Sequence, residues 1–138
     1  MSISAADVAL NLEKTARAIY AARGPQKMHP GQWAVLRFLA NAPDTERDVR
    51  GVANYLGVTL GPASRAIAAL ERKGYIALRE DEEDRRRRRI RVRKTGRELL
   101  ENDPIKHVEG VADAMSEEER EVFAIVLTRL RHVLKETA

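Results

Sequence analysis

The chain has 138 residues, 43% hydrophobic and 33% charged, with a net charge of +4 and no cysteine. That length suits one domain with a real core, while the missing cysteine excludes disulfides, thiolate metal sites and cysteine redox sensing. Met1-Ser2-Ile3-Ser4-Ala5 lacks the basic start of a signal peptide, and no segment reaches the roughly 18 apolar residues of a membrane span, so a cytoplasmic protein with no membrane partner is expected.

From Ser4 to Arg23, Val8, Leu12, Ala16, Ile19 and Tyr20 recur at helical spacing, and Gly24-Pro25 ends the helix they define. A second helix follows Pro30. Its Trp33, Val35, Leu36, Phe38 and Leu39 are apolar on nearly every side, the pattern of a core segment, and Asn41-Ala42-Pro43-Asp44 ends it. Asp48 is the expected N-cap of a short helix carrying Val49, Val52, Ala53 and Leu56. Gly57 closes that helix and Thr59 caps the next, so Gly57-Val58-Thr59 forms a turn of helix-turn-helix length. The following helix runs from Leu60 to about Lys73, takes Pro62 in its first turn and stops at Gly74.

Tyr75 to Arg79 and Arg89 to Arg93 read as the strands of a hairpin joined by Glu80 to Arg88. In the second strand Ile90 and Val92 alternate with Arg89, Arg91 and Arg93, giving one packed and one cationic face. Thr95 and Glu98 form a capping-box pair for a further helix, which Pro104 kinks or restarts with Asn102-Asp103 as caps. Ser116 and Glu119 form a second box. Beyond it, Val122, Phe123, Val126, Leu127, Leu130, Val133 and Leu134 make a wide apolar stripe.

Positive charge is segregated. Residues 47–97 hold 15 Lys and Arg against 7 Asp and Glu, whereas the rest of the chain holds 10 against 14. Such segregation is the footprint of a nucleic-acid surface. Arg85 to Arg89 are consecutive; adjacent guanidinium groups repel one another, and phosphate oxygens are the outside partner that suits them. A solvated loop is the plain alternative. Helix, tight turn, helix, hairpin is the order of a winged helix-turn-helix, whose second helix enters a major groove and whose hairpin reaches a minor groove. On the Leu60–Lys73 helix, Ala63, Ala66, Ile67 and Leu70 make the inner face, and Gly61, Ser64, Arg65, Ala68 and Arg72 the outer one. Small residues there admit the bases, and Arg65 is the candidate for a bidentate guanine contact. A solvated Arg65, or one paired with Glu71, is the alternative.

Three segments carry a family resemblance: Asp48-Val49-Arg50-Gly51-Val52-Ala53-Asn54-Tyr55-Leu56-Gly57-Val58-Thr59; Ser64-Arg65 through Ala69-Leu70-Glu71-Arg72-Lys73-Gly74-Tyr75-Ile76; and Asp84-Arg85-Arg86 with Gly96 twelve residues beyond the Asp. The sequence resembles the MarR family of bacterial winged-helix transcription regulators over essentially its whole length. Where that family usually carries Leu-Thr, this chain has Val92-Arg93, which passes the capping role to Thr95.

The resemblance implies a mainly α (α+β) fold, a winged helix-turn-helix with N- and C-terminal dimerisation helices, in a single domain over 1–138. The lobe spans about 30–93 and the dimerisation helices about 1–24 and 95–138. It implies base approach by Ser64 and Arg65, backbone positioning by Thr59, Gly61 and Pro62, wing contacts by Arg85 and Arg86, and minor-groove insertion by Arg87 and Arg88 nearest the tip. Asp84 is expected to pair with the adjacent wing arginine. The apolar first and last helices need a partner; a second copy gives a two-fold dimer on a pseudo-palindromic site, against the alternative of an intramolecular cap.

Family members often bind small aromatic or anionic compounds, and by position Arg17, Tyr20, Met28, His29 and Trp33 are the candidates to line such a crevice, with a core role for Tyr20 and Trp33 and a surface role for His29 as the alternative. No metal site or cofactor is expected, because His29, His107 and His132 are scattered. No phosphate loop, nucleophile motif or paired carboxylates point to an enzyme. The expected function is a homodimeric, sequence-specific regulator of transcription on double-stranded DNA, acting as a repressor, with release by a small effector. The alternatives are a winged-helix protein-association module or a non-specific DNA binder without ligand sensing. RNA binding is disfavoured by the few aromatic residues, Tyr75 being the nearest exception in a strand.

Overall fold

Ser4 opens the first helix, α1 (Ala5–Ile19), by accepting the Asp7 N–H on its hydroxyl at 3.0 Å. The computed structural model describes residues 2–21, 24, 27–84 and 86–137. The helix stops at Tyr20, short of the expected Arg23, because Tyr20 leaves helical geometry (φ −113°, ψ 19°); Arg23 and Pro25 lie outside the described residues. None of the residues of α1 is buried.

Helix α2 (Pro30–Asn41) begins at the proline, as expected, and buries Trp33, Val35, Leu36 and Leu39. A 3-10 turn (Asp44–Glu46) leads to α3 (Val49–Leu56), which ends at Gly57 in left-handed geometry with φ +69°, a conformation open to glycine at little steric cost. Helix α4 (Leu60–Arg72) follows across the three-residue turn. Thr59 occupies its N-cap position with extended backbone but no side-chain cap bond.

Strands β1 (Ile76–Glu80) and β2 (Arg88–Val92) pair antiparallel from Ile76 opposite Val92 to Glu80 opposite Arg88. Both start one residue nearer the tip than expected. Gly74 has φ +82°, and the Tyr75 N–H donates back to Leu70 O at 3.1 Å, so Tyr75 finishes α4 instead of starting a strand. Ile90 and Val92 are buried while Arg91 is exposed, the alternation that the sequence shows.

Helix α5 (Lys94–Leu100) corrects the first expected capping box. Arg93 stands at the cap without a side-chain bond, and the Thr95 hydroxyl donates instead to the Gly74 carbonyl. Gly96 sits against the hairpin: a Cβ there would lie 2.5 Å from Tyr75 O and 3.0 Å from Val92 Cγ1. One core joins α2, α3, α4, the hairpin and α5 through Leu36, Leu39, Val52, Ala63, Ile67, Leu70, Ile76, Ile90, Val92 and Leu99.

The chain forms two compact units, Met1–Asp103 and Pro104–Ala138. In the second, α6 (Ile105–Ala114) restarts after Pro104, and α7 (Glu117–Thr137) opens on the expected box. Ser116 N–H donates to Glu119 Oε1 at 3.0 Å, and Glu119 N–H to Ser116 Oγ at 3.1 Å. No helix among the described residues is long and apolar enough to cross a membrane.

Candidate nucleic-acid interface

The apolar spacing of α4 turns Ala63, Ile67 and Leu70 into the core and leaves Gly61, Pro62, Ser64 and Arg65 exposed, with Ala68 half-buried. Thr59 is exposed just ahead of them. The exposed surface is low. A Cβ on Gly61 would find no neighbour nearer than the Arg65 side chain at 3.5 Å, so the lack of bulk there answers no packing demand inside the protein. Arg65 makes no ion pair within 4.0 Å among the described residues, Glu71 included.

The hairpin lies along the segment that precedes α3. Ile90 N–H donates to Arg47 O at 2.8 Å, and the tip closes through Asp81 N–H to Arg87 O and Arg87 N–H to Asp84 O, each 3.0 Å. Arg89 pairs with Asp81 at 3.2 Å and also donates to the Asp44 carbonyl. The Asp81 carboxyl is held below the ordinary aspartate range, first by the Glu83 N–H that it accepts and then by Arg89.

Arg87, expected at the minor groove, lies against the protein in this structure. Its Nε donates to Asp48 Oδ2 at 2.5 Å and its terminal nitrogen to the Thr45 carbonyl. A nearly buried carboxylate and an adjacent carbonyl offer charge-assisted bonds that a tip in water does not, so this side chain turns back onto the protein. Arg86 and Arg88 remain exposed. Asp84 Oδ1 accepts the Arg86 backbone N–H at 3.0 Å, a local turn contact. Arg85, with its expected pairing to Asp84, lies outside the described residues.

Between α3, α4 and the wing lies an open groove of about 950 Å³, lined by Arg50, Asn54, Ser64, Ala68 and Glu71 on one side and Arg86, Arg87 and Arg88 on the other. It joins the small-residue face of α4 to the wing arginines across a single concave surface. Arg50 belongs to this surface although the sequence reading left it out; its place on α3, two residues past a capping aspartate, is the signal that points outward.

Two carboxylates expected only as helix caps are buried and hold arginines. Asp48 serves both α3 and the wing. Asp103, expected as a helix cap, accepts Arg37 Nε and a terminal Arg37 nitrogen, both at 2.7 Å, and Tyr20 Oη accepts the latter at 3.5 Å. The Asp103 bond, opposed by burial and helped by Tyr20, keeps the Arg37 guanidinium more firmly protonated than usual. The five candidate ligand residues differ in exposure. Met28, just ahead of α2, and Trp33 within it are core, and the Tyr20 phenol is engaged with Arg37. Arg17 and His29 are exposed, Arg17 lying 3.9 Å from Glu13.

Helix, three-residue turn, helix and a two-stranded wing on one core define a winged helix-turn-helix protein. Residues 26–87, most of that lobe, match the model of the MarR family. Among solved structures it is similar to FabT of Streptococcus pneumoniae, determined in complex with DNA, at 29% identity over 95% of this chain and 94% of that one, with a TM-score of 0.69. The MarR/EmrR family transcriptional regulator of Acinetobacter sp. ADP1 is 24% identical over 94% and 90%, with a TM-score of 0.67. PcaV of Streptomyces coelicolor, solved with its natural ligand, is 19% identical over 96% and 98%, with a TM-score of 0.72. No curated protein sequence matches the chain.

Proposed function

We propose that this chain is a homodimeric transcription regulator that reads a pseudo-palindromic operator in double-stranded DNA and acts as a repressor. The observation that carries the reading is the groove in which Ser64 and Ala68 of α4 face Arg86 and Arg88 of the wing. A backbone with small side chains can enter a major groove, and arginines beside it meet phosphates or a narrow minor groove. Ser64 and Arg65 approach bases, Thr59, Gly61 and Pro62 position the helix on the backbone, and Arg85, Arg86 and Arg88 serve the flank. The likeness to a DNA-bound FabT supports the same partner.

Dimerisation is supported by exposed apolar surface. Val8, Leu10 and Leu12 stand out on α1, as do Val122, Phe123, Ile125 and Val126 on α7, and water is a poor partner for so many exposed apolar side chains. The two copies present two α4 helices, whose half-sites lie about one DNA turn apart. The reading extends to release by a small aromatic or anionic effector and includes no catalytic step.

Selection from a random duplex library at physiological salt tests it. An enriched inverted repeat is expected. Retention without any enriched sequence would leave a non-specific polyanion binder or an association module and end the reading.

A further inference from the structure

A two-stranded hairpin is marginal by itself in water, so the orientation of this wing comes from what it is fastened to. The fastening runs along residues 44–48: Arg89 reaches the Asp44 carbonyl, Arg87 the Thr45 carbonyl, and Ile90 N–H the Arg47 carbonyl. Asp48 connects this seam to the helix-turn-helix. Its Oδ1 accepts the Gly51 N–H at 2.8 Å and caps α3, while its Oδ2 takes the Arg87 Nε–H at 2.5 Å. The Asp48 side chain is 8% exposed, that of Arg87 37%. One buried carboxylate therefore holds a helix end and a wing arginine together.

The geometry points to Asp48 as the positioning residue of the wing: by holding Arg87 it fixes the hairpin so that Arg86 and Arg88 face the groove beside α4, and it sets DNA affinity without touching DNA. The inference rests on the DNA-binding reading above. It divides the arginine run by role, with Arg87 and Arg89 facing the protein and Arg86 and Arg88 the ligand. The competing arrangement has the opposite sign. Were Arg87 a DNA contact, Asp48 would compete with phosphate for its guanidinium, and removing the Asp48 charge would tighten binding.

Asp48→Asn separates the two. Asparagine keeps an oxygen for the Gly51 N–H and is as good an N-cap as aspartate, but it carries no charge to hold Arg87. Full-length wild type, Asp48→Asn, Arg87→Ala and the double variant are titrated with the selected operator over a range of salt. Hydrogen exchange at the Ile90 and Asp81 amides is followed in parallel without DNA. Each single variant is expected to bind about tenfold more weakly, the scale of one charged hydrogen bond. The double variant should lose no more than either single one, as for two halves of one contact.

Exchange at both amides should quicken. The salt slope of Arg87→Ala should match wild type, while Arg86→Ala and Arg88→Ala each lower it by about one. Tighter or unchanged binding by Asp48→Asn, or a reduced slope in Arg87→Ala, overturns the inference. So does unchanged amide exchange in Asp48→Asn while the wild type still binds its operator. A wild type that selects no sequence overturns the DNA reading and the wing's role with it. Should Asp48→Asn melt early, Arg87→Ala with Arg87→Lys as the partial rescue decides the matter, because both leave the α3 cap intact.

Discussion

Arg37 and Asp103 show how far one pair of charges governs this fold. The Arg37 and Asp103 side chains are 20% and 5% exposed, and they meet through two bonds of 2.7 Å. Replacing one partner strands the other charge away from water, which costs about 3–5 kcal/mol. Asp103→Asn should therefore lower the urea midpoint substantially, whereas the joint replacement Arg37→Met with Asp103→Leu should recover much of the loss. A midpoint for Asp103→Asn equal to wild type would mean the pair adds nothing. Arg65 is the opposite kind of residue, exposed and without an ion pair among the described residues. Arg65→Ala should leave the melting temperature alone but weaken operator binding by about 1–3 kcal/mol and relax base preference at one position. Competition against single-base operator variants measures this, and unchanged discrimination would remove Arg65 from the base-reading set.

Among the elements, α4 would, on the proposed DNA-binding reading, separate stability from recognition at its glycine. Gly61 has room for a methyl group, with Arg65 at 3.5 Å as the nearest neighbour. Alanine is the better helix former by about 1 kcal/mol, so Gly61→Ala should melt no lower than wild type yet bind DNA more weakly if this backbone approaches the bases. Unaltered affinity would move the contact surface elsewhere. The cap of α7 has a pH signature. Glu119 is held below the ordinary glutamate range by the Ser116 N–H, then by the Ser116 side chain. A lowered folded pKa adds stability above the ordinary glutamate value, and that stability fades as pH falls through the lowered one. Carboxyl NMR should find Glu119 titrating below the ordinary range, and Ser116→Ala should move it upward; a Glu119 midpoint indifferent to that change would contradict the box.

These elements were legible in the sequence because their signals are local: a proline at the start of α2, an aspartate before α3, Gly57 in a three-residue turn, alternation in β2. The Thr95 box failed because its hydroxyl finds the Gly74 carbonyl, 21 residues away, and spacing within a helix says nothing of that. Asp48–Arg87 and Arg37–Asp103 span 39 and 66 residues, so a run of arginines read by itself cannot show which of them turn inward.

For the whole molecule, the exposed apolar faces demand an argument about assembly. No residue of α1 is buried, and α7 shows Phe123 and Val126 each about half exposed. Apolar faces of this length on a monomer would invite association without order; the proposed two-fold pairing would cover them with a closed, self-complementary contact. Phe123→Asp together with Val126→Asp should then give a monomer by sedimentation equilibrium, with the winged lobe's near-ultraviolet signal from Trp33 intact. Its operator affinity should fall by about 100-fold or more, because a second half-site no longer benefits from the first. Binding to an isolated half-site should persist at the strength of one lobe. A variant that remains dimeric would show that the two copies meet through other surfaces. A monomer with undiminished operator affinity would show that one lobe reads the whole site, and the pseudo-palindrome would lose its structural basis.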